Sequence, residues 1–108
     1  MPRISTHAIP LETVKQASRP MIDALVALLG TAREHFSIEV QEHPFVLDGE
    51  LVQGRPFVEL ALFDRGAEAE RKAVELITTH LQAVGVAEVD VYLRRLERSR
   101  YFANGRPL

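Results

Sequence analysis

Apolar and polar side chains alternate in four stretches of the chain, and two longer stretches carry an apolar residue at every third or fourth position. A period of two is typical of a strand with one buried face, and a period near 3.6 is typical of an amphipathic helix. The pattern therefore predicts strands within residues 2–9, 35–52, 55–66 and 88–96, and helices over residues 11–30 and 67–85.

Turn-forming residues separate these elements. Glycine favours helix ends, and Asp-Gly or Asn-Gly pairs favour tight hairpin turns. In this chain the turn-forming residues are Gly30 and Gly85 after the two helices, and the pairs Asp48-Gly49 and Asn104-Gly105. Pro20 interrupts the first helix pattern, and because proline has no N–H to donate, it is expected to kink or split that helix.

The two halves of the chain repeat one layout. Each half has a strand, a helix that ends at glycine, a short loop and another strand, with a repeat of roughly 50 residues. A duplicated β-α-β unit predicts an α+β fold, in which a four-stranded mixed sheet carries two helices on one face. Residues 1–108 are predicted to form a single domain, without a linker or a low-complexity segment.

Two helices cover only one face of such a sheet. In the third strand, Val58, Leu60 and Leu62 are expected to face the helices. The opposite face mixes polar groups with three aromatic residues, namely Phe57, Phe63 and Tyr92. This second face predicts burial against another subunit, and the alternative is an antiparallel-type face in contact with solvent.

Composition narrows the class of protein. The chain has 108 residues, of which 46% are hydrophobic and 26% charged, as in an ordinary globular domain. A net charge of −2 argues against a broad nucleic-acid footprint. No apolar run is long enough to span a membrane, and no signal-peptide pattern is present. The absence of cysteine removes thiolate chemistry and fits a cytoplasmic location.

Arginine is concentrated near the C-terminus. The residues are Arg94, Arg95, Arg98, Arg100 and Arg106. One interpretation is a solvated strand and tail, and the other is a patch that binds anionic ligands.

Pro2 raises a chemical question. Proline is tolerated as the first residue of a strand, so one interpretation is that Pro2 marks where the first strand begins. Alternatively, removal of Met1 would leave Pro2 with a free secondary amine that acts as a base or nucleophile.

The chain resembles the tautomerase superfamily, which includes macrophage migration inhibitory factor and 4-oxalocrotonate tautomerase, and most closely a small bacterial branch of unknown function. The matching features are "MP" at the start, F-x-x-E within "HFSIEV", "PFVELALFDRG" after the hairpin, and "YFANG" near the end. Together they extend over essentially the whole chain.

This resemblance implies a homotrimer whose sheets line the centre, and an N-terminal proline that moves protons on enol and 2-oxo carboxylic acids. The expected partner is thus a small-molecule carboxylate, with neither nucleic acid nor membrane involved. Two alternatives stay open. One is a catalytically silent oligomeric binding or structural module of the same fold, and the other is a ferredoxin-like regulatory domain.

The resemblance also assigns roles to particular residues. Pro2 would be the base, and the Tyr101 hydroxyl would donate to a developing enolate oxygen. The substrate-binding candidates are Arg65, Arg33, Glu39 and Asn104. Structural roles are the alternatives. Arg65 could form a surface ion pair with Asp64 or Glu68, Glu39 could pair with an arginine across the interface, and Asn104 could be a turn residue before Gly105.

No metal site or cofactor is predicted. The four histidines lack helical i, i+4 spacing, and no cysteine is present to act as a further metal ligand. Neither a dinucleotide-binding G-x-G-x-x-G motif nor a P-loop is present.

Overall fold

The computed structural model of the chain describes residues 2–108. Its helices are α1 (Leu11–Leu29) and α2 (Ala67–Ala83), and single 3₁₀ turns lie at Arg33–His35 and Arg98–Arg100. The strands are β1 (Arg3–His7), β2 (Ser37–Gln41), β3 (Phe45–Leu47), β4 (Glu50–Val52), β5 (Phe57–Phe63), β6 (Asp90–Leu96), β7 (Phe102–Ala103) and β8 (Arg106–Pro107). The predicted order of elements is confirmed.

One four-stranded sheet with the order β2-β1-β5-β6 organises the chain. β1 pairs with β2 in parallel, β5 pairs with β6 in parallel, and the central β1–β5 pair is antiparallel. The mixed sheet of two β-α-β units is therefore confirmed. A split β-α-β unit places another strand between its parallel strands, whereas here they are direct neighbours, so the ferredoxin-like alternative is wrong.

The two β-α-β units are related by an approximate twofold axis through the middle of the β1–β5 pair. Ser5 lies opposite Glu59 at that point, with Arg3 opposite Ala61 and His7 opposite Phe57. Because β1 and β5 run in opposite directions, Pro2 and Pro56, which precede these strands, lie at opposite ends of the sheet. We call these two regions the Pro2 end and the Pro56 end.

The core lies between the helices and one face of the sheet, as predicted. Val58, Leu60 and Leu62 of β5 are at most 1% exposed, and they pack with Ile4 of β1. The helices contribute Val14, Ala17, Met21, Ile22, Leu25, Ala73, Ile77 and Leu81. The opposite face of the sheet carries no helix, and we call it the open face.

Helix α1 runs without a break through Pro20. Of the two outcomes predicted for Pro20, a kink or a split, the split is wrong for a physical reason. Pro20 cannot donate to the carbonyl of Gln16, but both residues are exposed, so that carbonyl can bond to water instead.

Both hairpin turns are confirmed. Asp48 and Gly49 have φ angles of 53° and 76° between β3 and β4, and Asn104 and Gly105 have 54° and 76° between β7 and β8. Positive φ at both central positions is the geometry that Asp-Gly and Asn-Gly pairs accept most readily. Within residues 2–108, no helix combines the length and apolar character needed to cross a membrane.

Candidate functional site

Pro2 lies at a buried junction between two loops. Its side chain is less than 2% exposed. The next residue, Arg3, lies opposite Ser37 on one side and Ala61 on the other, so Pro2 falls between the chain that enters β2 and the last residues of β5. The loop from α1 to β2 and the loop from β5 to α2 therefore meet at the Pro2 end.

Arg65 connects these two loops. Its Nη1 donates to the carbonyl oxygen of Leu29 at 3.2 Å, and its Nη2 donates to Oγ1 of Thr31 at 2.9 Å. The carbonyl groups in the last turn of a helix have no intrahelical partner, so Arg65 satisfies one of those of α1. The ion pair with Asp64 or Glu68 that the sequence suggested as an alternative is absent from the ion pairs of residues 2–108. Arg65 thus shares one end of the sheet with Pro2.

Helix α2 begins next to Arg65 without a side-chain cap. Gly66 precedes the helix with a φ of 85°, and its N–H donates to Oδ1 of Asp64 at 2.9 Å. The first N–H groups of α2 and its positive dipole end therefore lie in the loop that carries Arg65.

Two ion pairs stabilise this helix start. Glu70 is buried and accepts two hydrogen bonds from Arg95 of β6, at 3.0 and 3.1 Å. These bonds and the nearby Asp64 raise the pKa of Arg95. Arg71 binds Glu68 and lowers the pKa of that carboxyl. Both acids of the first turn are therefore held by arginines.

Arg33 and Glu39, two of the predicted substrate-binding residues, have other side chains as partners. Nη1 of Arg33 pairs with Oδ1 of Asp23 on α1 at 2.6 Å, and both side chains are exposed. Glu39 lies on β2 beside Ser5, and its Oε1 accepts a hydrogen bond from Gln41 at 2.6 Å. Neither side chain is bonded to Arg65 in this structure.

Tyr101 approaches the Pro2 end from the C-terminal segment. Its ring packs edge-on against Phe63, the last residue of β5, with 5.3 Å between the ring centroids. Asn104 is exposed at the tip of the β7–β8 hairpin and occupies the left-handed position of its turn. The structure therefore brings Pro2, Arg65 and Tyr101 to one end of the sheet and places Asn104 on a turn beyond it.

The open face carries a cavity that the sequence did not predict. It has a volume of about 550 Å³, and we call it the arginine cavity. It is lined by Arg3, Ser5, Glu59, Ala61, Arg94, Leu96, Arg100, Tyr101 and Phe102. The sequence showed arginines near the C-terminus, but the contribution of Arg3 depends on strand register, which no local pattern reveals.

Glu59 organises one side of this cavity. Its Oε2 accepts a hydrogen bond from the Tyr92 hydroxyl at 2.7 Å and another from Nη2 of Arg94 at 3.0 Å. The hydrogen bond to Glu59 raises the pKa of Tyr92. The Glu59 carboxylate thus already balances one arginine of the cavity.

The Pro56 end carries a cavity of about 560 Å³ that is related to the Pro2 end by the twofold axis. Pro56, the loop after β1 and the loop from α2 to β6 line it, and Glu88 is its one charged lining residue. At this end, the N–H of Leu11 at the start of α1 donates to Oε1 of Glu42 at 2.6 Å. A carboxylate of the chain itself therefore occupies the helix start at the Pro56 end.

No group of three or more histidine, aspartate or glutamate side chains is placed to hold a metal ion anywhere in residues 2–108.

Known proteins share this fold. A DUF1904 crystal structure from Sebaldella termitidis ATCC 33386 is 27% identical over 97% of both chains, with a TM-score of 0.86. Native fused 4-OT is 13% identical over 97% of this chain and 94% of that chain, with a TM-score of 0.77. A macrophage migration inhibitory factor-like protein from Entamoeba histolytica is 10% identical over 99% of this chain and 98% of that chain, with a TM-score of 0.71. The chain thus has the tautomerase superfamily fold.

In sequence, no curated protein matches the chain. The family described as "Domain of unknown function (DUF1904)" matches residues 1–107. The chain belongs to the DUF1904 family.

Proposed function

We propose that this protein is a tautomerase that moves protons on enol and 2-oxo carboxylic acids, with Pro2 as the base once Met1 has been removed. The observation that carries this proposal is the position of Pro2, buried at the junction of two loops and in front of the central strand of a tautomerase fold. A structural neighbour gives chemical support. Pt0534, which is 18% identical with a TM-score of 0.69, is inactivated by 2-oxo-3-pentynoate.

Burial of Pro2 suits the role of a base. A free α-amino group has a pKa of about 7.7–8.0 in water. Burial disfavours the charged ammonium form of an amine and so lowers its pKa. A neutral amine at pH 7 accepts a proton from the carbon next to the carbonyl, or from the enol hydroxyl, and returns it at the other position. The net reaction is isomerisation, with no other reactant.

Arg65 is proposed to hold the substrate carboxylate. In the structure its guanidinium binds Leu29 and Thr31, which are neutral acceptors. A carboxylate forms stronger, charge-assisted hydrogen bonds with a guanidinium than a carbonyl or a hydroxyl does. Substrate would therefore replace these partners, and the uncapped start of α2 offers further N–H donors to the same anion.

Tyr101 is proposed to donate a hydrogen bond from its hydroxyl to the developing enolate oxygen, which stabilises the negative charge while Pro2 moves the proton. Roles for Arg33, Glu39 and Asn104 in binding substrate stay predictions. In this structure Arg33 is engaged by Asp23 and Glu39 by Gln41, so a substrate role for either would require an exchange of partners.

We further propose that the protein is a cytoplasmic homotrimer. The open face has no helix over it, and the β3–β4 hairpin exposes apolar side chains, with Leu51 at 78% and Val46 at 67%. Two structures of fused 4-OT proteins, each 18% identical with a TM-score of 0.73, are trimers. Burial of the hairpin against other copies would remove this apolar surface from water, and the open face would line the centre of the trimer.

The approximate symmetry of the sheet supplies a matched pair of variants for the test. Pro2→Ala should leave folding and assembly intact and lower tautomerisation of phenylpyruvate at least about 100-fold, as expected for loss of a positioned base. Pro56→Ala changes the corresponding residue at the opposite end and should retain activity within about twofold. Undiminished turnover in Pro2→Ala would exclude Pro2 as the base.

Two observations favour the second candidate, a catalytically silent oligomeric module. Pro2 is less than 2% exposed, and Arg65 has structural partners for both of its Nη atoms. In that case the wild-type protein would turn over no 2-oxo acid, and Met1 would be retained or the Pro2 amine would be unreactive.

A further inference from the structure

The arginine cavity combines three guanidinium groups with a small residue in the middle of its floor. Arg3 of β1 lies opposite Ala61 of β5, which in turn lies opposite Arg94 of β6. Arg3, Ala61 and Arg94 therefore belong to one row across the sheet, and their side chains point to the open face. Neighbouring strands are about 4.8 Å apart, so the two arginine positions flank Ala61 at a separation of about 10 Å.

Ala61 leaves a gap between the two arginines. Ala61 is 8% exposed, while the arginines on both sides are exposed. Any longer side chain at this position would fill the space between the guanidinium groups. The segment after β6 forms the rim, with Arg100 and Tyr101.

The positive charge of this cavity is only partly balanced. Glu59 pairs with Arg94 at 3.0 Å, and Glu97 pairs with Arg100 at 3.0 Å from outside the lining. Within residues 2–108, Arg3 takes part in no ion pair with an acidic side chain. Like charges in one row of a sheet repel each other, and a bound anion would relieve that repulsion.

We propose that the arginine cavity is a binding site for a small oxyanion, namely a phosphate or carboxylate group of a metabolite, seated over Ala61 between Arg3 and Arg94. Guanidinium groups present paired N–H donors that match the oxygen geometry of both groups. Arg94 uses one N–H for Glu59 and keeps others for the ligand. This site does not depend on the amine of Pro2.

The test is an isothermal titration of the full chain with inorganic phosphate and, separately, with malonate, each at constant ionic strength. We expect saturable binding, with Arg3→Gln and Arg94→Gln each weakening it about tenfold, the usual effect of losing one charged hydrogen bond. Ala61→Leu keeps every charge and fills the gap, so it should weaken binding at least as much. Tighter binding of phosphate or of malonate identifies which group the site prefers.

The control is Arg19→Gln, which removes an exposed arginine from α1 and should leave binding within about twofold of wild type. Equal weakening in Arg19→Gln and Arg3→Gln would show non-specific attraction and overturn the proposal, as would heats no larger than those of sodium chloride. If Ala61→Leu melts below wild type in anion-free buffer, Ala61→Val, which suits a strand, takes its place. Pro2→Ala should bind phosphate like wild type, so failure of the tautomerase proposal and failure of this one are distinguishable.

Discussion

The two ends of the sheet have the same architecture and different chemistry. At the Pro56 end the proline nitrogen is part of a peptide bond, and the carboxylate of Glu42 occupies the start of the adjacent helix. At the Pro2 end Arg65 joins the loops, and the start of α2 has no side-chain cap. The comparison shows that the fold offers two related positions, with a guanidinium joining the loops at one end and a carboxylate at the helix start of the other.

The side chains on the open face also differ between the two ends of the sheet. Towards the Pro56 end, His7 stacks on Phe57 with 4.2 Å between ring centroids, and Phe57 lies 6.3 Å from Tyr92. Towards the Pro2 end the row is Arg3, Ala61 and Arg94. The row that contains His7 and Phe57 is therefore aromatic, whereas the row of Arg3, Ala61 and Arg94 is cationic.

Blocking the amine should have the largest effect. A variant with Gly-Ser fused before Pro2 turns its nitrogen into an amide, like that of Pro56, and an amide has no basic lone pair. We expect phenylpyruvate tautomerisation to fall at least about 100-fold, with the melting temperature nearly unchanged. Steady-state kinetics and a thermal melt measure both. Full activity in the fused protein would remove the functional difference between the two ends.

Loss of Arg65 should have a smaller effect with two components. Arg65→Ala removes the proposed carboxylate ligand, so KM for phenylpyruvate should rise about tenfold with less change in kcat. It also removes the hydrogen bonds to Leu29, at the end of α1, and to Thr31 just beyond it. Their loss should lower the free energy of unfolding by about 1 kcal/mol. Arg65→Lys keeps the charge without the forked geometry and should recover part of KM. An unchanged KM with lower stability would make Arg65 a structural residue only.

The corresponding change at the Pro56 end should affect stability alone. Glu42→Ala leaves the first N–H groups of α1 without their carboxylate partner, so the free energy of unfolding should fall by about 1 kcal/mol. Chemical denaturation measures this loss. Activity should stay within about twofold of wild type, and a rise in KM like that of Arg65→Ala would mean that the two ends are not functionally distinct.

The smallest expected effect is a shift in the titration of Tyr92. The chain has 2 tyrosines, so Tyr101→Phe leaves Tyr92 as the only phenol to be followed by ultraviolet absorbance. Its pKa should lie above the ordinary value of about 10, and Glu59→Gln should move it back towards that value. Because the folded-state pKa is raised, the stabilisation by this hydrogen bond is complete below the unfolded pKa and is lost as the pH rises through the folded pKa. A midpoint unaffected by Glu59→Gln would argue against the hydrogen bond.

Local patterns in the sequence predicted the elements because each pattern depends on neighbours in the chain. The alternation of Val58, Leu60 and Leu62, the glycine at position 30 and the Asp48-Gly49 turn each identified a feature that the structure confirms. Pro20 shows the limit of such a rule, because exposure of the freed carbonyl decides whether the helix continues.

The candidate site depends on contacts between distant parts of the chain. Arg65 and Leu29 are far apart in sequence, and their hydrogen bond follows from how α1 packs beside β5. The row of Arg3, Ala61 and Arg94 joins three strands, and its register becomes visible only in the sheet. Sequence therefore pointed to Pro2, Arg65 and Tyr101 as separate candidates, and the fold brings them to one end.

The most direct measurement is the intact mass of the purified protein before and after incubation with 2-oxo-3-pentynoate, followed by peptide mapping of the adduct. We predict a chain that lacks Met1 and gains one label, on the nitrogen of Pro2, with no label near Pro56. A chain that retains Met1, or a trimmed chain whose Pro2 stays unlabelled, would contradict the assignment of Pro2 as an accessible amine.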